Sequence, residues 1–207
     1  RTGAASGVAT KYMARSGKPV VGIIGSGFQA STQVESISRV RDIKKVLCYS
    51  RNPEKRKVFA QSLSHSLDID VTTCSSAEEC ATHSDILTTI TTSRLPVFQG
   101  TSLQPGTHVN AAGSNHWMRQ EIDATTVERS SVIAVDDLVQ AKTECGDLFP
   151  AIEQGLTRWE LIHNLGDIVA GSFTARPDDQ AITLYESQGI ALQDVAVAHH
   201  IYSKIKQ

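Results

Sequence analysis

The chain has 207 residues, 40% of them hydrophobic, and 20 Lys+Arg against 22 Asp+Glu leave a net charge of −2. That length suits one to two domains, and the apolar share fills one sizeable core, which excludes a mainly disordered chain. Balanced charge gives no dense basic face, so no nucleic-acid partner is expected. The longest apolar run lies around Val20–Ile24. It is far short of the roughly 20 residues that a bilayer crossing needs, so no membrane partner is expected either.

Cys48, Cys74, Cys80 and Cys145 form no C-x-x-C pair and read as reduced thiols of a cytoplasmic protein. No acid precedes Glu35, an opening that can mimic a transit peptide. It runs straight into a strand, so it reads instead as an internal helix and the chain as a piece of a longer protein.

In chain order, residues 1–16 predict a helix closed by Gly17 and Pro19. Val20–Ile24 is an unbroken β-branched run, as in a strand buried on both faces of a parallel sheet. A helical period over Phe28–Val40 and a strand at Lys45–Tyr49 follow. Asn52-Pro53-Glu54 supplies an N-cap, a Pro at the first helical position and an early acid. Ile69–Thr72 is a short strand, and Ser75-Ser76-Ala77-Glu78 is a capping-box pattern for the next helix. Strands are predicted at Asp85–Thr91, Thr107–Ala111 and Ser131–Val135, with helical turns at Glu121–Glu128 and Leu138–Glu144. After about Gly146 the alternation breaks into short helical pieces and a polar Ser172–Gln180 loop. Ala181–Tyr185 reads as a last strand, and a final helix starts at Ile190. Strands alternating with helices argue for an α/β fold with a Rossmann-type, doubly wound, mostly parallel sheet.

Gly25-Ser26-Gly27-Phe28-Gln29-Ala30 is G-x-G-x-x-A between the first strand and its helix. Gly25 permits the tight turn, Gly27 lets a diphosphate approach the backbone, and Ala30 allows close helix–strand packing. The helix start at Phe28–Gln29 then meets the phosphates. The alternative is a strand–helix turn that binds no nucleotide. The end of the second strand carries Ser50, Arg51 and Asn52, with no acid to receive a ribose 2′-hydroxyl. A hydroxyl beside a guanidinium favours a 2′-phosphate, hence NADP(H) over NAD(H). Arg51 also reads as a solvated helix-start residue that stacks on adenine.

Arg1-Thr2-Gly3-Ala4-Ala5, the Gly25–Ala30 turn, Thr89–Arg94 (T-I-T-T-S-R), Val109–Asn115 (V-N-A-A-G-S-N), Glu121-Ile122-Asp123 and Ser187–Asp194 (S-Q-G-I-A-L-Q-D) resemble the ornithine cyclodeaminase/mu-crystallin family over nearly the whole chain. The resemblance implies a dimeric NAD(P)-dependent enzyme acting on a small amino acid or its cyclic imine. It also implies a substrate and dimerisation domain upstream of this chain. Residues 1–16 would be a hinge helix, 17–171 the nucleotide domain, and 172–207 a segment toward that other domain. Arg1 matches the arginine that holds the substrate carboxylate, and Thr91 a contact near the nicotinamide half. Val109, Asn110, Ala111 and Ala112 match the strand end lining the cofactor, while Ser187 and Gln188 approach nicotinamide and substrate. Read from the residues alone, Ser187 and Gln188 are N-cap candidates for the final helix.

One position departs from the family pattern. Asn115 stands where the cyclodeaminases place an acid/base aspartate, and an amide shuttles no proton at neutral pH. Ornithine cyclisation leans on several proton transfers, whereas reduction of one imine needs a hydride and a single proton. His116 is a candidate donor of that proton, and the family's catalytic Lys lies upstream of Arg1. The expectation is therefore an imine reductase, with the 207-residue piece inactive by itself. Ornithine cyclodeamination and a non-catalytic, crystallin-like binding protein are the alternatives. Asp136-Asp137 and Asp178-Asp179 read as solvated or capping acids, and Trp117 and Trp159 as packing residues. His199-His200 has no partner at i+4, so no metal site is expected.

Overall fold

The computed structural model describes residues 1–206. Strand β1 (Val20–Ile24) is followed by α2 (Ala30–Ser38), β2 (Lys45–Tyr49), α3 (Pro53–Leu67), β3 (Val71–Thr73), α4 (Ala77–Thr82) and β4 (Ile86–Thr89), with α1 (Thr2–Met13) preceding them. Then come β5 (His108–Ala111), α5 (Ala124–Arg129), β6 (Ser130–Val135), α6 (Leu138–Glu144), α7 (Phe149–Glu153), β7 (Ile162–Asn164), α8 (Leu165–Val169), β8 (Ile182–Glu186) and α9 (Ala191–Ile205). The strands form one sheet in the order β3-β2-β1-β4-β5-β8-β6-β7. Every neighbouring pair is parallel, so the sheet is parallel throughout.

Parallel strands need crossovers that cover both faces, and the side chains divide accordingly. Ala9 and Met13 of α1, Val34 and Ile37 of α2, Ala60 and Leu63 of α3, and Leu165 and Ile168 of α8 pack on one face. Cys80 of α4, Val127 of α5, Ala141 of α6 and Ala151 of α7 pack on the other. The chain winds outward from β1 through β2 to β3, then returns to β4 on β1's other side. That reversal opens a crevice beyond the carboxyl ends of β1 and β4, where such sheets bind ligands.

Local signals set several element starts. Asn52 caps α3 by accepting from the Lys55 amide at 2.9 Å, with Pro53 at the first helical position. The capping box falls one residue later than expected: Ser76 accepts from the Glu79 amide, and Glu79 accepts from the Ser75 amide. The first-strand helix begins at Ala30 rather than Phe28, leaving the turn itself outside the helix. Helix α1 lies close on α2 because a Cβ at Gly3 would sit 2.3 Å from the Thr32 carbonyl oxygen.

The C-terminal third departs most from expectation. β7 has no counterpart in the hydropathy pattern, being three residues with one apolar side chain. Ile182–Glu186, assigned to a segment leading away from the nucleotide domain, is hydrogen-bonded between β5 and β6 inside the sheet. Helix α9 has no buried residue. Its N-cap is Ile190, so Ser187 and Gln188 do not cap it. Among the described residues no helix is long and apolar enough to cross a membrane.

A candidate dinucleotide site

The strands end in a single register row: Tyr49, Ile24, Thr89, Ala111, Glu186, Val135 and Asn164 lie side by side across β2, β1, β4, β5, β8, β6 and β7. The next residues along each strand are therefore Ser50, Gly25, Ile90, Ala112, Ser187, Asp136 and Leu165. Parallel pairing thus delivers residues as distant as Gly25 and Ser187 to one edge of the molecule.

At the centre of that edge Gly25 adopts φ +123°, and a Cβ there would lie 2.3 Å from the Ile90 carbonyl oxygen. Its amide donates to the Tyr49 carbonyl at 2.8 Å. The amides of Ser26, Gly27, Phe28 and Gln29 have no backbone acceptor among the described residues. A Cβ on Gly27 would meet nothing within 4 Å, and Phe28 is 97% exposed. Open space above unpaired amides at the start of α2 suits an anion, since those N–H groups and the helix dipole both favour negative charge. A groove of about 520 Å³ opens beside the turn, lined by Ser26, Gly27, Phe28, Lys55 and Phe59 among others. The residues present fit a dinucleotide.

Ser26 Oγ donates to Ser50 Oγ at 2.9 Å, which holds the end of β2 against the turn. Arg51 is exposed. A second cation stands beside it: Arg56 donates to the Ser50 carbonyl at 2.9 Å, with its guanidinium 5.1 Å from the centre of the Tyr49 ring. Sequence reasoning missed Arg56 because it lies on α3, one turn beyond the motif.

On the other side of the crevice a buried carboxylate joins β4 to β5. Glu121 accepts from Thr89 Oγ1 at 2.9 Å, from the Gly113 amide at 2.7 Å and from the Thr91 amide. Burial pushes Glu121 up to about 7, against the pull of the Thr91 and Thr89 hydrogen bonds. Thr91 is thus fixed by its backbone, and its hydroxyl accepts from the Ser93 amide at 3.1 Å. Along β5 the structure corrects one site residue. Asn110 is fully buried with its side chain on the face toward α1, where it donates to Thr10 Oγ1 at 3.1 Å and accepts from His108 at 3.2 Å. It presents no side-chain atom to the crevice. Val109 and Ala111 are fully buried in the opposite core, so beyond β5 the wall is Ala112 and the backbone that follows it. His108 is held at about 3 by burial and by the Arg176 charge.

At the third corner Asp136 gathers four donors: Tyr185 Oη, Ser187 Oγ at 3.0 Å, the Gly189 amide at 2.7 Å and Gln193 Nε2 at 2.8 Å. It is no solvated acid. Asp137 does cap α6, accepting from the Gln140 amide, and Asp178 accepts from the Gln180 and Ala181 amides. Gln188 is buried with neither side-chain atom bonded. Arg1 reaches the start of α9, where Nε meets Asp194 Oδ1 at 2.5 Å and a terminal nitrogen donates to Gln193 at 3.3 Å. Arg1, Ser187 and Gln188 therefore share one corner.

Asn115 is exposed on the loop after Gly113, and Gly113 itself packs against Thr91. His116 accepts from the Met118 amide at 3.2 Å and stacks on Trp117. Trp117 is 58% exposed and so is no packing residue, whereas Trp159 packs on the core and edge-on to Phe149. All four cysteines are buried and free. Among the described residues no group of three or more His, Cys, Asp or Glu could hold a metal ion, and His199 and His200 are exposed on α9.

Known proteins share both the sequence and this geometry. A Bacillus cereus Delta(1)-pyrroline-2-carboxylate reductase is 38% identical over 205 residues, 99% of this chain and 63% of that protein. The structure of Thermococcus litoralis Delta(1)-pyrroline-2-carboxylate reductase in complex with NADH and L-proline superposes with a TM-score of 0.95 at 41% identity, covering 98% of this chain and 63% of that one. An archaeal alanine dehydrogenase dimer with bound NAD superposes with a TM-score of 0.91 at 39% identity, covering 98% and 62%. The chain thus spans less than two thirds of these relatives' length. The family pattern described as "Ornithine cyclodeaminase/mu-crystallin family" matches residues 1–207, and the chain belongs to that family.

Proposed function

We propose that this chain is the dinucleotide-binding part of an NAD(P)H-dependent oxidoreductase that reduces the imine of a small amino acid. The observation that carries the reading is the row of unpaired amides over open space at Ser26–Gln29, placed where β1 and β4 diverge. When bound, the reduced dinucleotide supplies a hydride to the C=N carbon. The amides at Gly27–Gln29 hold the diphosphate, and Ser26, Ser50 and Arg51 face the adenosine end. Thr91, Ala112 and Ser187, set by Glu121 and Asp136, border the other end. Arg1, oriented by Asp194 and Gln193, offers its remaining N–H groups to the substrate carboxylate. Asn115 orients substrate or water by hydrogen bonds, and Gln188 supplies a buried amide to the same corner. A proton must also reach the nitrogen, for which His116, exposed beside Asn115, is this chain's candidate donor.

The reductase reading is preferred to cyclodeamination because Asn115 replaces the acid/base aspartate. NADP(H) is preferred to NAD(H) because Arg51 is exposed, Arg56 stands beside Ser50, and no acid lies at Ser50–Asn52. A cytoplasmic homodimer completes the proposal. NADPH and NADH titrated into wild type and Arg51→Asp test the cofactor choice: wild type should hold NADPH about tenfold tighter, and the variant should lose that margin. Equal affinities throughout refute the preference. Assay of the whole protein separates the two reactions, since ammonia and proline from ornithine without net NADPH consumption contradict the reductase.

A further inference from the structure

Two further acids take no part in that scheme. Asp147, between α6 and α7, and Glu186, the last residue of β8, are both fully buried. Asp147 Oδ1 accepts from the Glu121 amide at 2.6 Å and the Ile122 amide at 2.9 Å. Its Oδ2 has no donor, and neither Glu186 oxygen has one. The two carboxyls lie within hydrogen-bonding reach of each other. The groups that face them are Glu121 before α5, Asp136 after β6, Cys145 after α6, Ser114 of the loop beyond β5, and Gln188. None is a cation.

We propose that Asp147 and Glu186 share a single proton, and that the O–H···O bond it makes is a positioning latch between segment 145–147 and the end of β8 at Ser187–Gln188. Two facing carboxylates in a water-poor interior cannot both be ionised without strong repulsion. Burial pushes Asp147 up as well, but the Glu121 and Ile122 amides pull it back down, so Asp147 keeps the charge and Glu186 the proton. Burial and the Asp147 charge both push Glu186 well above the usual carboxylate range. The latch joins the Glu121 side of the site to the Ser187 side. Asp147 holds the backbone of Glu121, which fixes Thr91 and Gly113, and Glu186 directly precedes Ser187. Loss of the proton in alkali breaks the bond and drives the two walls apart. The link to cofactor affinity rests on the dinucleotide reading, while the shared proton does not.

The test uses the whole protein and Glu186→Gln, whose amide keeps a donor toward Asp147 without an ionisable proton. Infrared spectra at about pH 8.5, above the range in which Glu121 titrates, should show a protonated-carboxyl stretch in wild type that Glu186→Gln lacks. As pH rises above the usual carboxylate range, wild-type melting temperature should fall further than that of Glu186→Gln, and NADH affinity should fall with it by about tenfold in alkali. Absence of that stretch in wild type, or the same alkaline loss in both proteins, overturns the proposal. If wild type binds no dinucleotide at any pH, the proposed function fails, and the stretch and the melting profiles still judge the latch. Should Glu186→Gln fail to fold, isotope-edited spectra of wild type with labelled glutamate decide the case.

Discussion

Gly25 and Gly27 stand two residues apart and are needed for different reasons. Gly25 serves the fold: its φ of +123° and the Ile90 oxygen leave no place for a Cβ. Gly25→Ala should destabilise the protein by about 1–3 kcal/mol, read as a lowered midpoint in urea. Gly27 serves the ligand, because its missing Cβ points into open space. Gly27→Val should melt within a degree or two of wild type yet weaken dinucleotide binding at least about tenfold. The motif made both glycines legible. It could not reveal Glu121, which in Glu121-Ile122-Asp123 looks like any acid opening a helix, since burial belongs to the folded chain.

Glu121 also carries a pH signature. Its folded value of about 7 lies above its ordinary one, so between roughly pH 4.5 and 7 the native state binds more protons than the unfolded chain. Glu121 by itself should therefore lower stability by about 3 kcal/mol as pH rises through that window. Glu121→Gln should flatten this slope. It should also lower stability at pH 8 by about 1–3 kcal/mol, because the amide nitrogen that replaces one carboxylate oxygen accepts nothing and leaves either the Thr91 amide or the Thr89 and Gly113 donors unpaired. Denaturant titrations at several pH values check both statements.

Among the elements, α1 has a fastening that its own sequence does not contain. Arg41, beyond α2, donates to the carbonyls of Thr10 at 3.0 Å, Lys11 at 3.0 Å and Ala14 at 3.2 Å. A guanidinium satisfying the last carbonyls of a helix both completes their hydrogen bonds and complements the dipole. Arg41→Ala should cost about 2 kcal/mol and speed amide exchange at the α1 C-terminus. Caps formed within a few residues, such as Asn52 and Asp137, could be read directly from the sequence. Fastenings across 30 residues could not. Strand order was hidden for the same reason: Ile182–Glu186 reads as a strand like the others, and nothing local says it enters between β5 and β6.

Across the whole molecule, the α/β class, most element boundaries and the strand ends that carry Gly25, Ala112 and Ser187 were legible, because parallel strands broadcast themselves as apolar runs between caps. The neighbours of α9 were not. It exposes Leu192, Val195, Ile201, Tyr202 and Ile205, an apolar burden that an isolated helix seldom carries. Arg1 and Asp194 join opposite ends of the chain beside that helix. If Asp194 orients Arg1 for a carboxylate, Asp194→Ala in the whole protein should raise KM for the imine acid about tenfold with little change in kcat. A drop in kcat alone would place Asp194 elsewhere in the mechanism.

The most direct trial of the account is a crystal structure of the protein soaked in NADPH or NADH. The diphosphate should lie against the amides of Gly27, Phe28 and Gln29, within about 3 Å, with the nicotinamide end toward Thr91 and Ser187. A dinucleotide bound anywhere else, or a crevice that stays empty at saturating coenzyme, would contradict it.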